Sequence, residues 1–278
     1  MPRRLDPNLV VWTAALPGRG FAETVAAAAA SGHGAISLAR RFVMRALRKE
    51  RLSAEQMRAI LAEAGVRVAC VESCSAWYGG AVSEDGGEPV TTAEMIALAR
   101  TFGAPLMAAS SAEHAERPIG EVVQAFAELC REAADSGVAV ALEPVAMWTL
   151  KDTGLALEIV ERADAPNGGL LLDTWHHARS SSRDEVLDRI PPELVYAVQL
   201  ADAPAAPEPD IKDECFHRRR MPGDGDLDLA GFLRRIGAGA RAPIGVETWT
   251  SELARQDVGA VAEAFARATD EVRAAART

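Results

Sequence analysis

One pattern governs what this chain can fold into: a short apolar run, a polar turn, then an alanine-rich stretch of helical period, eight times over. The apolar runs are residues 9–16, 34–38, 66–71, 104–109, 138–145, 169–173, 195–200 and 243–247, and their starts lie 25 to 48 residues apart. That spacing suits a strand followed by a crossover helix, the connection parallel strands require. Several helices carry their own boundaries. Ser53-Ala54-Glu55-Gln56 reads as a capping box whose helix stops at Gly65, Thr92 opens a helix that ends at Gly103, and Ser136-Gly137 closes a third. Eight consecutive βα units without a break in composition point to an α/β chain forming a closed (β/α)8 TIM barrel, a single domain over residues 1–278. An open, doubly wound sheet is the rival architecture.

Composition narrows the partners. With 278 residues, 49% of them hydrophobic, the chain can bury a large core and is too apolar for disorder. A net charge of −10 disfavours nucleic acid as a partner. No segment approaches the roughly 18 apolar residues that span a bilayer. The opening Met1-Pro2-Arg3-Arg4-Leu5-Asp6 has no following apolar region of a signal peptide. Cys70, Cys74, Cys130 and Cys215 lack metal-ligand spacing and read as reduced, buried thiols, so a cytoplasmic setting is expected. Self-association into a homo-oligomer stays open.

Two segments exceed the minimum connection. Residues 39–52 set six bases around Phe42, Val43, Met44 and Leu47, which reads as the solvated face of an inserted helix. Residues 202–227 form a long loop between the seventh and eighth strands, ending in a His217-Arg218-Arg219-Arg220 run and a Pro-Gly-Asp-Gly turn. Long loops after barrel strands lie at the C-terminal mouth, where such folds keep their chemistry.

Four strands end in a polar residue that a buried strand should avoid: Glu143, Asp173, Gln199 and Glu247. Side chains alternate along a strand, so Glu143 shares a face with Ala141, Gln199 with Ala197, and Glu247 with Gly245, while the bulky Val140, Leu142, Val198, Ile244 and Val246 take the other. The polar ends therefore point to the barrel axis. Strand six is less clear because leucine fills both faces. Carboxylates converging away from water repel strongly. One divalent metal ion removes that cost, and oxygen donors suit Mg²⁺ or Mn²⁺.

These residues sit in strings that resemble the xylose isomerase-like TIM barrels, the sugar phosphate isomerase/epimerase superfamily: Leu142-Glu143-Pro144, Asp173-Thr174-Trp175-His176, Gln199-Leu200-Ala201-Asp202-Ala203-Pro204, Arg219-Arg220-Met221-Pro222-Gly223-Asp224-Gly225 and Gly245-Val246-Glu247. The resemblance implies that Glu143, Asp173, Gln199 and Glu247 bind one divalent metal and that His176 and Arg219 hold the substrate. Many epimerases and isomerases of the group have His where this chain has Gln199. The Gln-Leu-Ala-Asp-Ala-Pro string, with His217 and Arg219 beyond it, is similar to the 3-dehydroshikimate dehydratase branch. The apolar segment after Glu143, Pro144-Val145-Ala146-Met147-Trp148, departs from what that substrate calls for.

The expected enzyme is a metal-dependent isomerase or epimerase of a small sugar-like or cyclic polyol ketone, working through a stabilised enediolate. Glu143 or Glu247 takes the proton. A dehydratase results if His176 or His217 protonates a β-hydroxyl instead, and a silent barrel used for binding is the non-enzymatic alternative. A nuclease for abasic DNA would need more histidines than the five present. His177 reads as structural, and His33 and His114 as surface or cap residues. Glu72, with inward parity alongside Cys70 and Val68, reads either as a substrate contact or as a structural hydrogen bond. The five tryptophans divide between pocket mouth and core.

Overall fold

Alternation along eight strands divides the apolar side chains into two populations, and the fold follows from giving each a place. The computed structural model describes residues 3–80, 90–112, 115–237, 242–250 and 252–278. Strands β1 (Asp6–Val11), β2 (His33–Ala39), β3 (Arg67–Cys74), β4 (Leu106–Ala109), β5 (Ala139–Leu142), β6 (Gly168–Asp173), β7 (Val195–Leu200) and β8 (Ile244–Val246) pair in sequence order, all parallel. Leu9 of β1 pairs with Ile244 of β8 and closes the ring. The expected (β/α)8 barrel forms, and the open sheet does not.

Helices follow in chain order: α1 (Phe21–Ala30), α2 (Arg40–Arg48), α3 (Ala54–Ala64), α4 (Ala76–Gly79), α5 (Thr92–Phe102), α6 (Ile119–Ala134), α7 (Thr153–Ala163), α8 (Thr174–Arg179), α9 (Ile211–His217), α10 (Leu229–Ile236) and α11 (Val258–Ala275). The capping box of α3 is present, with Gln56 N donating to Ser53 Oγ at 3.2 Å and Ser53 N to Gln56 Oε1 at 2.8 Å. Thr91 caps α5 in the same way, accepting from Glu94 N at 3.2 Å. The short α2, α4, α8 and α9 sit in the loops after β2, β3, β6 and β7, and they build the mouth. Among the described residues, no helix is long and apolar enough to cross a membrane.

Val140, Leu142, Val198, Ile244 and Val246 face the helices in the main core, and a second apolar layer fills the barrel axis around Trp12, Cys70, Ala141, Leu171 and Ala197. A barrel interior is packed side chain by side chain, so the large Trp12 requires small neighbours. Gly245 shows the limit: a Cβ there would come 1.9 Å from the Val10 carbonyl oxygen. β3 corrects one expectation. Its register against β2 shifts between the pairs Ile36–Val68 and Ser37–Cys70. That irregularity turns Val68 out to the helix layer, while Cys70 joins the axial layer. His33 is likewise not a surface residue. It is fully buried, its Nδ1 2.8 Å from Ser31 Oγ. His114 lies outside the described residues. All four cysteines are buried, and none of them is in a disulfide.

Candidate active site

β5 leads into Glu143, β6 ends in Asp173, β7 carries Gln199 and β8 leads into Glu247. Asp173 pairs across the sheet with Gln199, and Gln199 with Gly245. All four side chains are buried, Glu143 being the most exposed at 8%. Glu72, near the end of β3, closes in from the other side of the barrel. Glu72, Glu143, His176, Arg219 and Glu247 line a cavity of about 380 Å³. A larger cavity, of about 730 Å³, opens at the opposite end among strand starts such as Leu106, Ala139 and Val195. Among the described residues, its lining has no comparable cluster of acids and bases.

Arg219 reaches the cavity because Asp202 fixes the returning loop. Asp202 N donates to the Arg220 carbonyl at 2.9 Å and Arg220 N to the Asp202 carbonyl at 2.8 Å. The Asp202 carboxylate accepts from the backbone N–H groups of Ala203, Gly223 and Leu227 at 2.8, 3.0 and 3.1 Å. The turn packs so closely on it that a Cβ at Gly225 would lie 2.1 Å from Asp202 Oδ1. Arg218 and Arg220 consequently stay exposed, and Arg219 is 3% exposed. Nothing in the sequence marks Asp202 as the organiser, since its partners are backbone amides.

The Arg219 guanidinium is a hub. Nη1 donates to Asp173 Oδ2 at 2.9 Å and to the Glu247 carbonyl at 3.1 Å. Nη2 lies 3.1 Å from His176 Nε2 and 3.2 Å from Cys215 Sγ. The guanidinium also stacks on Trp175, 4.7 Å from the ring centroid. Trp175 is held in turn by Nε1 donating to the buried Glu214 at 2.9 Å, which Arg179 Nε neutralises at 2.7 Å. The other Asp173 oxygen caps α8 by accepting from His176 N at 2.8 Å, which aims the imidazole into the mouth.

Four buried carboxylates thus face one buried guanidinium. Burial pushes Glu143 up to about 8, with Asp173 and Glu72 adding repulsion and Arg219 opposing it. Burial likewise raises Glu247 well above the carboxylate range, with Glu72 the next cause. Burial pulls His176 down to about 3; the Arg219 charge acts the same way and Asp173 against it. The ring is therefore neutral at rest. Its nitrogens face donors, Arg219 at Nε2 and, at 3.3 Å, Ala146 N–H at Nδ1, and Glu143 Oε1 stands 3.8 Å from Nε2.

The donor set suits a divalent ion in kind. Gln199 Oε1 is buried without a hydrogen-bond partner, a situation that costs about 1–3 kcal/mol. Ionising Glu143 and Glu247 as well would leave a surplus of negative charge that a second cation would balance. As the side chains stand, no three His, Cys, Asp or Glu among the described residues are grouped closely enough to hold one. Arg219 carries the positive charge there, 2.9 Å from Asp173 and 3.7 Å from Glu247 Oε2. An ion held by this donor set would therefore need those side chains to rearrange.

Other sequence candidates fall apart from this group. His217 is exposed at the end of α9 and does not line the cavity. His177 is held by Thr153 Oγ1 at 2.9 Å and Asp184 Oδ1 at 3.3 Å. The basic segment 39–52 is not wholly a solvated face, because Arg40 and Arg41 line the cavity rim. Arg41 donates to the Ala14 carbonyl at 2.7 Å and stacks on Trp249 at 4.6 Å. Their position immediately after β2 is the sequence signal that marks them as mouth residues. Trp148 and Trp249 line the cavity, whereas Trp12 and Trp175 are fully buried.

The model of the family described as xylose isomerase-like TIM barrel matches residues 25–271. A 3-dehydroshikimate dehydratase of Pseudomonas aeruginosa is 35% identical over 124 residues, 44% of this chain and 19% of that protein. The matched segments span less than a fifth of the curated relatives' length. Among solved structures, a xylose isomerase-like TIM barrel/4-hydroxyphenylpyruvate dioxygenase fusion protein superposes with a TM-score of 0.80 at 22% identity, over 93% of this chain and 41% of that one. The IolI protein, with a bound zinc atom, superposes with a TM-score of 0.82 at 20% identity, over 96% and 98%. At those identities the likeness is one of fold.

Proposed function

Since the chain belongs to the xylose isomerase-like TIM-barrel family, we propose that it is a metal-dependent dehydratase removing water from a small cyclic hydroxy ketone that bears a carboxylate. That is the kind of compound named in its curated relatives. The observation that carries the reading is the buried imidazole of His176 set 3.8 Å from Glu143 in the lining of the cavity. Elimination needs one group to take a proton from carbon and a proton to reach the departing hydroxyl, and a single base between the two can do both.

A divalent ion, Mn²⁺ or Mg²⁺, held by Glu143, Asp173, Gln199 and Glu247 supplies Lewis-acid polarisation of the ketone when bound. The chain's own residues do the rest. Once Arg219 Nη2 has moved off it, His176 Nε2 takes the proton from the carbon beside the ketone. The C–H electrons become the new C=C bond as the C–O bond to the β-hydroxyl breaks, and the imidazolium returns its proton to the hydroxyl, which leaves as water. The imidazolium has donors at both nitrogens, so an ionised Glu143 is the group that stabilises it. Arg40 and Arg41 at the rim meet the substrate carboxylate, which the acidic floor repels, and so orient the ring with its ketone inward. Four buried thiols outside any disulfide support a cytoplasmic setting.

An isomerase or epimerase would use the same floor, with Glu143 and Glu247 exchanging protons on opposite faces of the substrate. The test supplies 3-dehydroshikimate, ketoses and inososes with Mn²⁺ or Mg²⁺, following ultraviolet absorbance of the dehydrated product and chromatographic separation of isomers. Dehydration of the acid is the expected result. Conversion of neutral sugars alone would replace the reading with epimerisation, and no turnover of either class with metal bound would leave a binding barrel.

A further inference from the structure

Gln199 poses a problem of direction. Its amide has an oxygen end and a nitrogen end of nearly equal size, and only the oxygen can hold a cation. A buried glutamine free to flip would spend part of its time presenting N–H groups to the ion.

A chain of one-way hydrogen bonds favours one orientation. Thr13 N–H donates to Ser37 Oγ at 2.8 Å, occupying a lone pair of the hydroxyl. The single hydroxyl hydrogen of Ser37 points to Glu72 Oε1 at 2.5 Å. Glu72 is buried, and its second oxygen, Oε2, stands 3.5 Å from Gln199 Nε2. A carboxylate accepts, so it draws the NH₂ end of the amide to itself and turns Oε1 away. That Oε1 is the buried, unpartnered oxygen noted above. At 3.5 Å the contact is long and contributes little binding energy, but a small preference is enough to choose between two orientations.

We propose that Glu72, anchored by Ser37, is a positioning residue: it reaches from β3 to β7 and fixes the Gln199 amide with its oxygen offered to the metal. The inference rests on the metal reading of the proposed function. Outer partners of metal ligands commonly act in this way, and their removal costs about 10–100-fold in affinity.

The test is calorimetric titration of the full chain with Mn²⁺ alone, with thermal unfolding of the metal-free variants as the control for folding. Glu72→Gln, nearly identical in shape, can donate as well as accept, so the one-way order is lost. Its Mn²⁺ affinity is expected to fall about tenfold. The discriminating background is Gln199→Glu, whose two ligand oxygens are equivalent and need no orientation. There Glu72 only repels, so adding Glu72→Gln leaves Mn²⁺ binding unchanged or strengthens it. Ser37→Ala weakens binding in the native background and not in the Gln199→Glu one.

Glu72→Gln binding within about threefold of the unaltered chain overturns the inference and leaves the metal reading standing. An equal loss in both backgrounds also overturns it, because Glu72 would then be acting by charge or as a ligand. An unaltered chain that takes up no Mn²⁺ overturns the metal reading, and this inference with it.

Discussion

Replacing Glu143 with glutamine isolates the electrostatic cost of the cavity floor. In the metal-free chain Glu143 keeps its proton up to about 8, against an ordinary 4.5, through burial and then the charges of Asp173 and Glu72. Between those two values the unfolded carboxyl has lost its proton and the folded one has kept it. The native state then binds more protons than the unfolded state, so stability falls as pH rises through that window. The contribution is fully present below 4.5 and lost by about 8. At about 1.4 kcal/mol per pH unit, the window amounts to at most roughly 4–5 kcal/mol. Glutamine has nearly the same shape and no charge to bury, so Glu143→Gln removes this pH dependence. Urea unfolding of chelator-treated protein at pH 5, 7 and 9 measures it. The unaltered chain should lose stability steeply toward pH 9, and the variant should lose less, becoming the more stable of the two while remaining inactive. Parallel stability curves for the two proteins would refute the reasoning.

Arg219→Ala leaves Asp173 and Glu247 facing each other without a buried cation. It should destabilise the metal-free chain by about 3–5 kcal/mol, and Mn²⁺ should raise the Tm of this variant more than that of the unaltered protein. Asp202→Ala releases three backbone N–H groups, a loss of about 1 kcal/mol each. It should lower kcat/KM by freeing the loop that delivers Arg219, measured alongside urea stability. His176→Asn keeps the Asp173 cap, which uses the backbone N–H, and removes the proposed proton carrier. Its kcat should fall by about 10²–10⁴ with little change in KM, read from steady-state kinetics with metal bound.

The barrel was legible in the sequence because its strands leave little choice of face. In β5 and β7 small alanines alternate with bulky aliphatics, and parity alone brings Glu143 and Gln199 to the axis. β3 was not legible to the same degree: its register shift reassigns Val68, and no residue in the run announces it. The helix boundaries at Gly65 and Gly103 could be read because a left-handed φ, 67° and 63°, asks for glycine. The mouth was harder. Arg40 and Arg41 look solvated in a run of charge, and only the entry of α2 directly from β2 turns them to the cavity. His217 lies two residues from Arg219, yet the end of α9 leaves it in solvent. Glu72 could be given a face but not a partner, since Gln199 lies 127 residues further along the chain.

The central claim is that the acids of β5, β6 and β8, with the oxygen of Gln199, hold one divalent ion. Anomalous diffraction from crystals loaded with Mn²⁺ tests it most directly. The account predicts a single strong peak bonded to Glu143, Asp173, Gln199 Oε1 and Glu247, with Arg219 drawn back from at least one of its carboxylates. A map without such a peak, in which Arg219 still joins Asp173 to Glu247 and Gln199 Oε1 still lacks a partner, would contradict it.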